Sequence, residues 1–228
     1  MISSLFNKNL GTINYFQKGK SPKLLLMSGT HGDEYGVIQP LKNIIDKYSE
    51  KLPDFIFIPE VSPTAVKLKT RRNKFNHDVN RNFFENTDDP EAKTVMNIVA
   101  NFNFKMGISF HEDIEYDSFY MYDSEKMDAK MLNNFKTNVK KLGVGLYSGI
   151  DDVHDVELGA TIQDGYVVDP AAPDKIKVGD FWHWSLINKY VKRLLYPEIP
   201  SSLTIKNKLF LIDLIFKDLI FPLLNERI

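Results

Sequence analysis

Ser28-Gly29-Thr30-His31-Gly32-Asp33-Glu34-Tyr35-Gly36 is the stretch on which the fold reading turns. It follows the apolar run Leu24-Leu25-Leu26-Met27, which reads as a buried strand. It precedes a segment with helical spacing at Val37, Ile38, Leu41, Ile44, Ile45 and Tyr48. A strand-to-helix turn therefore carries a His and a Glu three apart, between glycines that let the backbone turn sharply. At that spacing an imidazole and a carboxylate can converge on one ion, and both are ligand types that catalytic zinc accepts. A plain solvated turn would carry the same two residues, so the remainder of the chain has to decide between the two.

Strands and helices alternate outward from this turn. Thr12 to Gln17 reads as an edge strand, Asp54 to Ile58 as a short apolar strand closed by Pro59, and Glu60 to Glu85 as a structured loop. Pro90 opens a helix through Asn101, with Asp88 or Asp89 as its cap. Phe104 to Phe110 reads as a strand ending at His111, Phe119 to Tyr122 as another, and Ser124 to Leu142 as a helix closed by Gly143. Gly149 to Gly179 is acidic loop, Asp180 to Tyr190 a short aromatic helix, Lys192 to Tyr196 a strand ending at Pro197-Glu198, and the remainder a final helix. The expected fold is a single α/β domain over residues 1–228, a mixed twisted sheet flanked by helices on both faces.

Composition narrows the function. Twenty-nine Lys and Arg balance thirty Asp and Glu, so there is no footprint for nucleic acid or an anionic membrane. With no cysteine, a metal can be held only by His and carboxylates. The amino-terminal residues lack the apolar core of a secretory signal, which makes a cytoplasmic location the expectation. Leu209 to Leu224 imitates a membrane span, but Asp213, Lys217 and Asp218 interrupt it, and it falls short of the ~20 apolar residues a span requires. It reads as a buried terminal helix.

Catalytic zinc takes three protein ligands and leaves one position open. His31 and Glu34 supply two, and His111, just past a predicted strand, is the best-placed third. His77, His154 and His183 read as surface or packing residues. Arg71, Arg72 and Asn73 lie between these ligands, followed by Asp78-Val79-Asn80-Arg81-Asn82-Phe83; guanidinium groups near a metal suit an anionic substrate.

Gly-x-His-Gly-Asp-Glu after a strand, then Asp-Val-Asn-Arg-Asn-Phe, then a strand-end His, resembles the carboxypeptidase A-like zinc peptidases, a superfamily that includes the aspartoacylase and succinylglutamate desuccinylase branch. The resemblance runs from about Leu24 to Leu224. It implies one zinc ion held by His31, Glu34 and His111, with Asp78 orienting the first ligand His. It further implies that Arg71 stabilises the oxyanion, that Asn80 and Arg81 bind the substrate carboxylate, and that Glu198 in Leu195-Tyr196-Pro197-Glu198-Ile199-Pro200 is the general base. A mobile Tyr closes such sites, and Tyr166 is the nearest candidate. The implied substrate is a small peptide or acyl-amino acid with a free carboxylate.

Three departures matter. Phe84 replaces the Pro that often follows Asn-Arg-Asn-Phe, Ser62-Pro63 stands for Asn-Pro, and Ala65 replaces a Gly common in the peptidases and so leans towards the deacylases. Only Ile199 to Ile228 follow Glu198, enough for one helix and a tail rather than the extra β domain typical of the aspartoacylase group. The expectation is thus a metallocarboxypeptidase-like hydrolase, with an N-acyl amino acid deacylase as the alternative and a non-catalytic binding module on the same fold as the third reading.

Overall fold

The computed structural model describes residues 6–151 and 159–225. The expectation for His154 falls outside them. In chain order the strands are β1 (Phe6–Leu10), β2 (Ile13–Lys18), β3 (Leu24–Ser28), β4 (Phe55–Ile58), β5 (Phe104–Asp113), β6 (Ser118–Asp123), β7 (Gly145–Leu146), β8 (Gly149–Ile150), β9 (Thr161–Ile162), β10 (Val167–Val168) and β11 (Val191–Pro200). The helices are α1 (Ile38–Tyr48), α2 (Pro63–Leu68), α3 (Pro90–Val99), α4 (Ala129–Lys141), α5 (Phe181–Ile187), α6 (Ile205–Leu214) and α7 (Phe221–Asn225), the last two joined by a π-helical stretch over Ile215–Ile220.

The main sheet is mixed, in the order β1-β2-β4-β3-β5-β11-β6-β10, with β7 on β6; β8 and β9 form a separate ribbon. Its centre, β4-β3-β5-β11, is parallel, while β2 and β6 run antiparallel to their neighbours on that core. All five residues of β3 are buried, as expected of a parallel strand covered on both faces. Side chains alternate between faces. Leu24, Leu26, Phe55, Phe57, Met106 and Ile108 meet α1, α4 and α6, whereas Leu25, Met27, Ile56 and Ile58 meet α3 and α5. The expected architecture, helices on both faces of a mixed sheet, is what the chain adopts.

Several expectations need correction. The segment read as an edge strand is β2, and it lies inside the sheet. A hairpin through Gly11, at φ +56°, adds β1 as the edge. The region read as loop contains α2, a helix too short for a periodic pattern to emerge, with Ala65 its single buried residue. The helix expected from Ser124 starts only at Ala129, where Asp128 caps it by accepting from the Met131 N–H. Strand β11 runs on through Pro197: its pairing with β5 reaches Leu195 opposite Ile108 and resumes at Glu198 opposite His111, so the proline occupies the gap. Short strands β8, β9 and β10 interrupt the acidic loop.

The apolar carboxyl-terminal run is core, as expected. Leu211, Ile212, Ile215, Phe216, Leu219 and Ile220 are all fully buried against the sheet. Among the described residues no helix is long and apolar enough to cross a membrane.

Candidate functional site

Ligands gather at the carboxyl ends of parallel strands, and the topology brings three such ends together here. His31 follows β3, His111 lies near the end of β5, and Glu198 near the end of β11. The turn holding His31 needs its glycines. Gly29 adopts φ +62°. At Gly32 an added Cβ would come within 1.9 Å of the Ala65 carbonyl oxygen, because the backbone of the α2 loop passes directly over it and Thr70 O accepts from the Gly32 N–H at 2.9 Å. That close approach docks the loop carrying Arg71 against the turn carrying His31.

His31, Glu34 and His111 are buried, and one ligand atom from each lies within 4.8 Å of the others. The Glu34 carboxylate sits between the rings, hydrogen-bonded to Nδ1 of His31 through Oε1 and to Nδ1 of His111 through Oε2, the latter at 2.8 Å. The opposite ring nitrogens are engaged by other side chains: His31 Nε2 is 3.2 Å from Asp78 Oδ1, and His111 Nε2 is 3.2 Å from Ser109 Oγ. Two imidazoles and one carboxylate, each ring held from behind, form a donor set that fits a zinc ion bound through the Nδ1 atoms.

Electrostatics follow from this crowding. Burial disfavours charge on His31, but Glu34 and Asp78 outweigh it and lift the imidazole to about 9. Burial likewise opposes ionisation of Glu34, yet the two histidines hold its carboxyl well below the usual range. Asp78 is held low in the same way, by His31 and Arg71 against its own burial. This group is a preformed cluster of opposite charges that a cation would reorganise.

Asp78 organises the adjoining turn. It accepts from Arg71 Nε at 3.0 Å, from the Asn80 N–H at 2.9 Å and, through its carbonyl, from Asn82 Nδ2 at 2.7 Å. Arg71, Asn80 and Arg81 therefore line the same cavity as the histidines, a cleft of about 700 Å³. The predicted residues His31, Glu34, His111, Asp78, Arg71, Asn80, Arg81 and Glu198 all come together there.

Glu198 lies in a row across the sheet, opposite His111 on β5 and opposite Tyr120 on β6. Burial, reinforced by Glu34, Asp113 and Asp151, pushes its carboxyl well above the usual range. Tyr166 is not brought to the cleft. Its hydroxyl donates to Asp123 Oδ2 at 2.8 Å, next to Arg193, and its ring packs against the α1/α4/α6 face of the sheet. Tyr120 lines the cleft instead, with its hydroxyl on Asp113 Oδ2 at 2.6 Å. The alternation of Phe119–Tyr122 held the signal for it, since Tyr120 shares a face with Tyr122.

Two histidines read as surface or packing residues also line the cleft. His77 lies 3.1 Å from Asp89 Oδ2, and His183 is buried beside Asp180.

Comparison with known proteins agrees with this picture. The catalytic-domain model of succinylglutamate desuccinylase/aspartoacylase matches residues 20–127, a span that includes His31, Glu34, Asp78 and His111. No curated protein sequence matches. Among solved structures, a candidate metallopeptidase from Shewanella amazonensis SB2B superposes with a TM-score of 0.76 at 17% identity, over 96% of this chain and 87% of that one. Another from Shewanella denitrificans OS217 gives 0.74 at 18% identity, over 95% and 83%. The murein-tripeptide amidase MpaA from Escherichia coli O157 gives 0.58 at 16% identity, over 92% and 89%. At these identities the structural likeness establishes the fold. The resemblance to the zinc carboxypeptidase-like superfamily, its aspartoacylase and succinylglutamate desuccinylase branch included, is borne out.

Proposed function

We propose that this chain is a zinc-dependent hydrolase that cleaves an amide bond next to a free carboxylate, in the manner of a metallocarboxypeptidase. The observation that carries this reading is the convergence of His31, Glu34 and His111 with Glu198, Arg71, Asn80 and Arg81 in one cleft. A zinc ion held by the first three would supply Lewis acidity, polarising a carbonyl and lowering the pKa of water. Glu198, in register beside His111, takes the proton of the attacking water and passes it to the leaving amine. Its raised proton affinity suits both halves of that transfer. Arg71, anchored through Nε to Asp78, presents its guanidinium to the oxyanion. Arg81 and Asn80 hold the substrate carboxylate.

A second reading keeps the same residues but takes a small N-acyl amino acid, as a deacylase would. The family-model match favours it, as does Ala65 in place of the Gly common in the peptidases. Substrate size and compartment, cytoplasmic by expectation, belong to this proposal. The test uses zinc-loaded protein and pairs of acyl-dipeptides that differ only in a free or amidated carboxyl terminus, with N-acetylaspartate and N-succinylglutamate alongside. The free-terminus peptides should be cleaved at least about tenfold faster than their amides, the worth of one charged hydrogen-bonded contact. Equal rates would overturn the carboxylate-directed reading, and cleavage of the N-acyl amino acids alone would select the deacylase.

A further inference from the structure

The aromatic segment Phe181-Trp182-His183-Trp184 divides in two. Phe181 and Trp184 pack with Phe83 in the core, while Trp182 and His183 line the cleft. His183 is 1% exposed. Its Nδ1 lies 2.8 and 3.0 Å from the two Asp180 oxygens, and Asp180 also accepts from the His183 backbone N–H at 2.7 Å. A carboxylate can only accept, so Nδ1 carries the ring proton and Nε2, in the neutral ring, keeps its lone pair. Nε2 is buried and has no hydrogen-bond partner among the described residues.

Buried polar atoms are rarely left unpaired, and this one belongs to a residue that lines the proposed substrate cleft. Its place there is fixed by contacts between α5 and the residues proposed to hold the carboxylate. The Phe181 N–H donates to Asn80 Oδ1 at 3.0 Å and the Phe83 N–H to Gly179 O at 2.7 Å. Gly179 packs so close to the Arg81 backbone that an added Cβ would lie 2.6 Å from its carbonyl oxygen. A residue whose carboxylate rested on Asn80 and Arg81 would lie against the start of α5, the helix that carries His183.

We propose that His183, oriented by Asp180, selects a terminal residue whose side chain ends in a hydrogen-bond donor, an amine or an amide. This rests on the hydrolase reading for the position of the carboxylate. An N–H donor completes Nε2; an aliphatic side chain leaves it unpaired, and a carboxylate meets a lone pair backed by Asp180 and by Asp169, which also lines the cleft. Asp180 acts as a positioning residue that sets the tautomer.

The experiment compares zinc-loaded protein on four substrates with one N-benzoylglycyl acyl group and terminal lysine, glutamine, norleucine or glutamate. Alongside, 15N NMR reads the His183 ring as free lysine, glutamine or norleucine is added. The lysine and glutamine substrates should exceed norleucine and glutamate in kcat/KM by at least about tenfold, and lysine or glutamine, but not norleucine, should shift Nε2. His183→Leu should collapse the lysine-to-norleucine ratio. Asp180→Asn can still cap the helix yet can donate to Nδ1, moving the proton to Nε2; it should raise glutamate relative to lysine, which a merely structural role would not do.

Equal rates on all four substrates would overturn this inference and leave the hydrolase standing. No hydrolysis at all, with lysine still shifting the ring, would overturn the hydrolase and leave the donor site standing. A ring indifferent to lysine and glutamine would overturn the inference whatever the rates.

Discussion

Removing the metal exposes a pH dependence that the cluster itself predicts. In the chelated protein the His31 imidazole is lifted from its ordinary 6.5 to about 9, because Glu34 and Asp78 outweigh its burial. The folded state then binds this proton more tightly than the unfolded chain does. The stabilisation is fully present below pH 6.5 and is lost as pH rises towards 9. At about 1.36 kcal/mol per pKa unit the loss is roughly 3 kcal/mol, a large part of the ~5–15 kcal/mol that holds a domain folded. Glu198, whose carboxyl burial and neighbouring charges push up, makes stability depend on pH with the same sign. Urea unfolding followed by circular dichroism in EDTA, at intervals from pH 6.5 to 9, should show the midpoint falling steadily. His31→Gln should flatten most of that slope. Zinc should reverse it, since a metal requires the deprotonated ring and binds better as pH rises. A chelated protein equally stable at pH 6.5 and 9, or an unchanged slope in His31→Gln, would refute the reasoning.

Three further outcomes follow from particular contacts. Lys208 is buried on Glu112, which in turn donates its N–H to Glu34 at 3.4 Å; Lys208→Met should cost about 3–5 kcal/mol in urea unfolding by leaving a buried carboxylate unpaired, and Glu112→Gln in the same chain should recover part of it. Asp89 is fully buried, caps α3 through the Glu91 and Ala92 N–H groups, and accepts from Asn73 Nδ2. Asp89→Ala should lower stability by at least ~1 kcal/mol and, by loosening the loop that carries Arg71 and Asp78, should weaken activity. Glu198→Gln should keep its metal content but lose at least ~10²-fold in kcat, the usual worth of a positioned general base.

What could be read in advance divides along a physical line. The strand β3, the turn at His31 and the helix after it were legible because a four-residue apolar run, glycines and 3.6-residue spacing all act locally. His111 and Glu198 were legible as strand-end residues, although both lie inside longer strands than their apolar runs suggest. Their exact partnership was not legible, because the register that sets His111, Glu198 and Tyr120 in one row depends on pairing between distant segments. The same limit misplaced Tyr166: nearness in sequence to the last strand says nothing about which face of the sheet its ring joins. His183 was read as a surface or packing residue, and its burial selects the second. That it also walls the cleft depends on α5 meeting Asn80, a contact between residues far apart in the chain. The hairpin partner β1 and the short α2 carry too few buried residues to announce themselves.

The central claim is that His31, Glu34 and His111 together hold one catalytic zinc ion. The most direct test is the zinc content of purified wild-type protein and His111→Ala after equilibration with limiting zinc and removal of free metal, with circular dichroism confirming that both remain folded. The account predicts one zinc per chain in the wild type and a sharp loss in His111→Ala. Equal zinc content in the two folded proteins would contradict it.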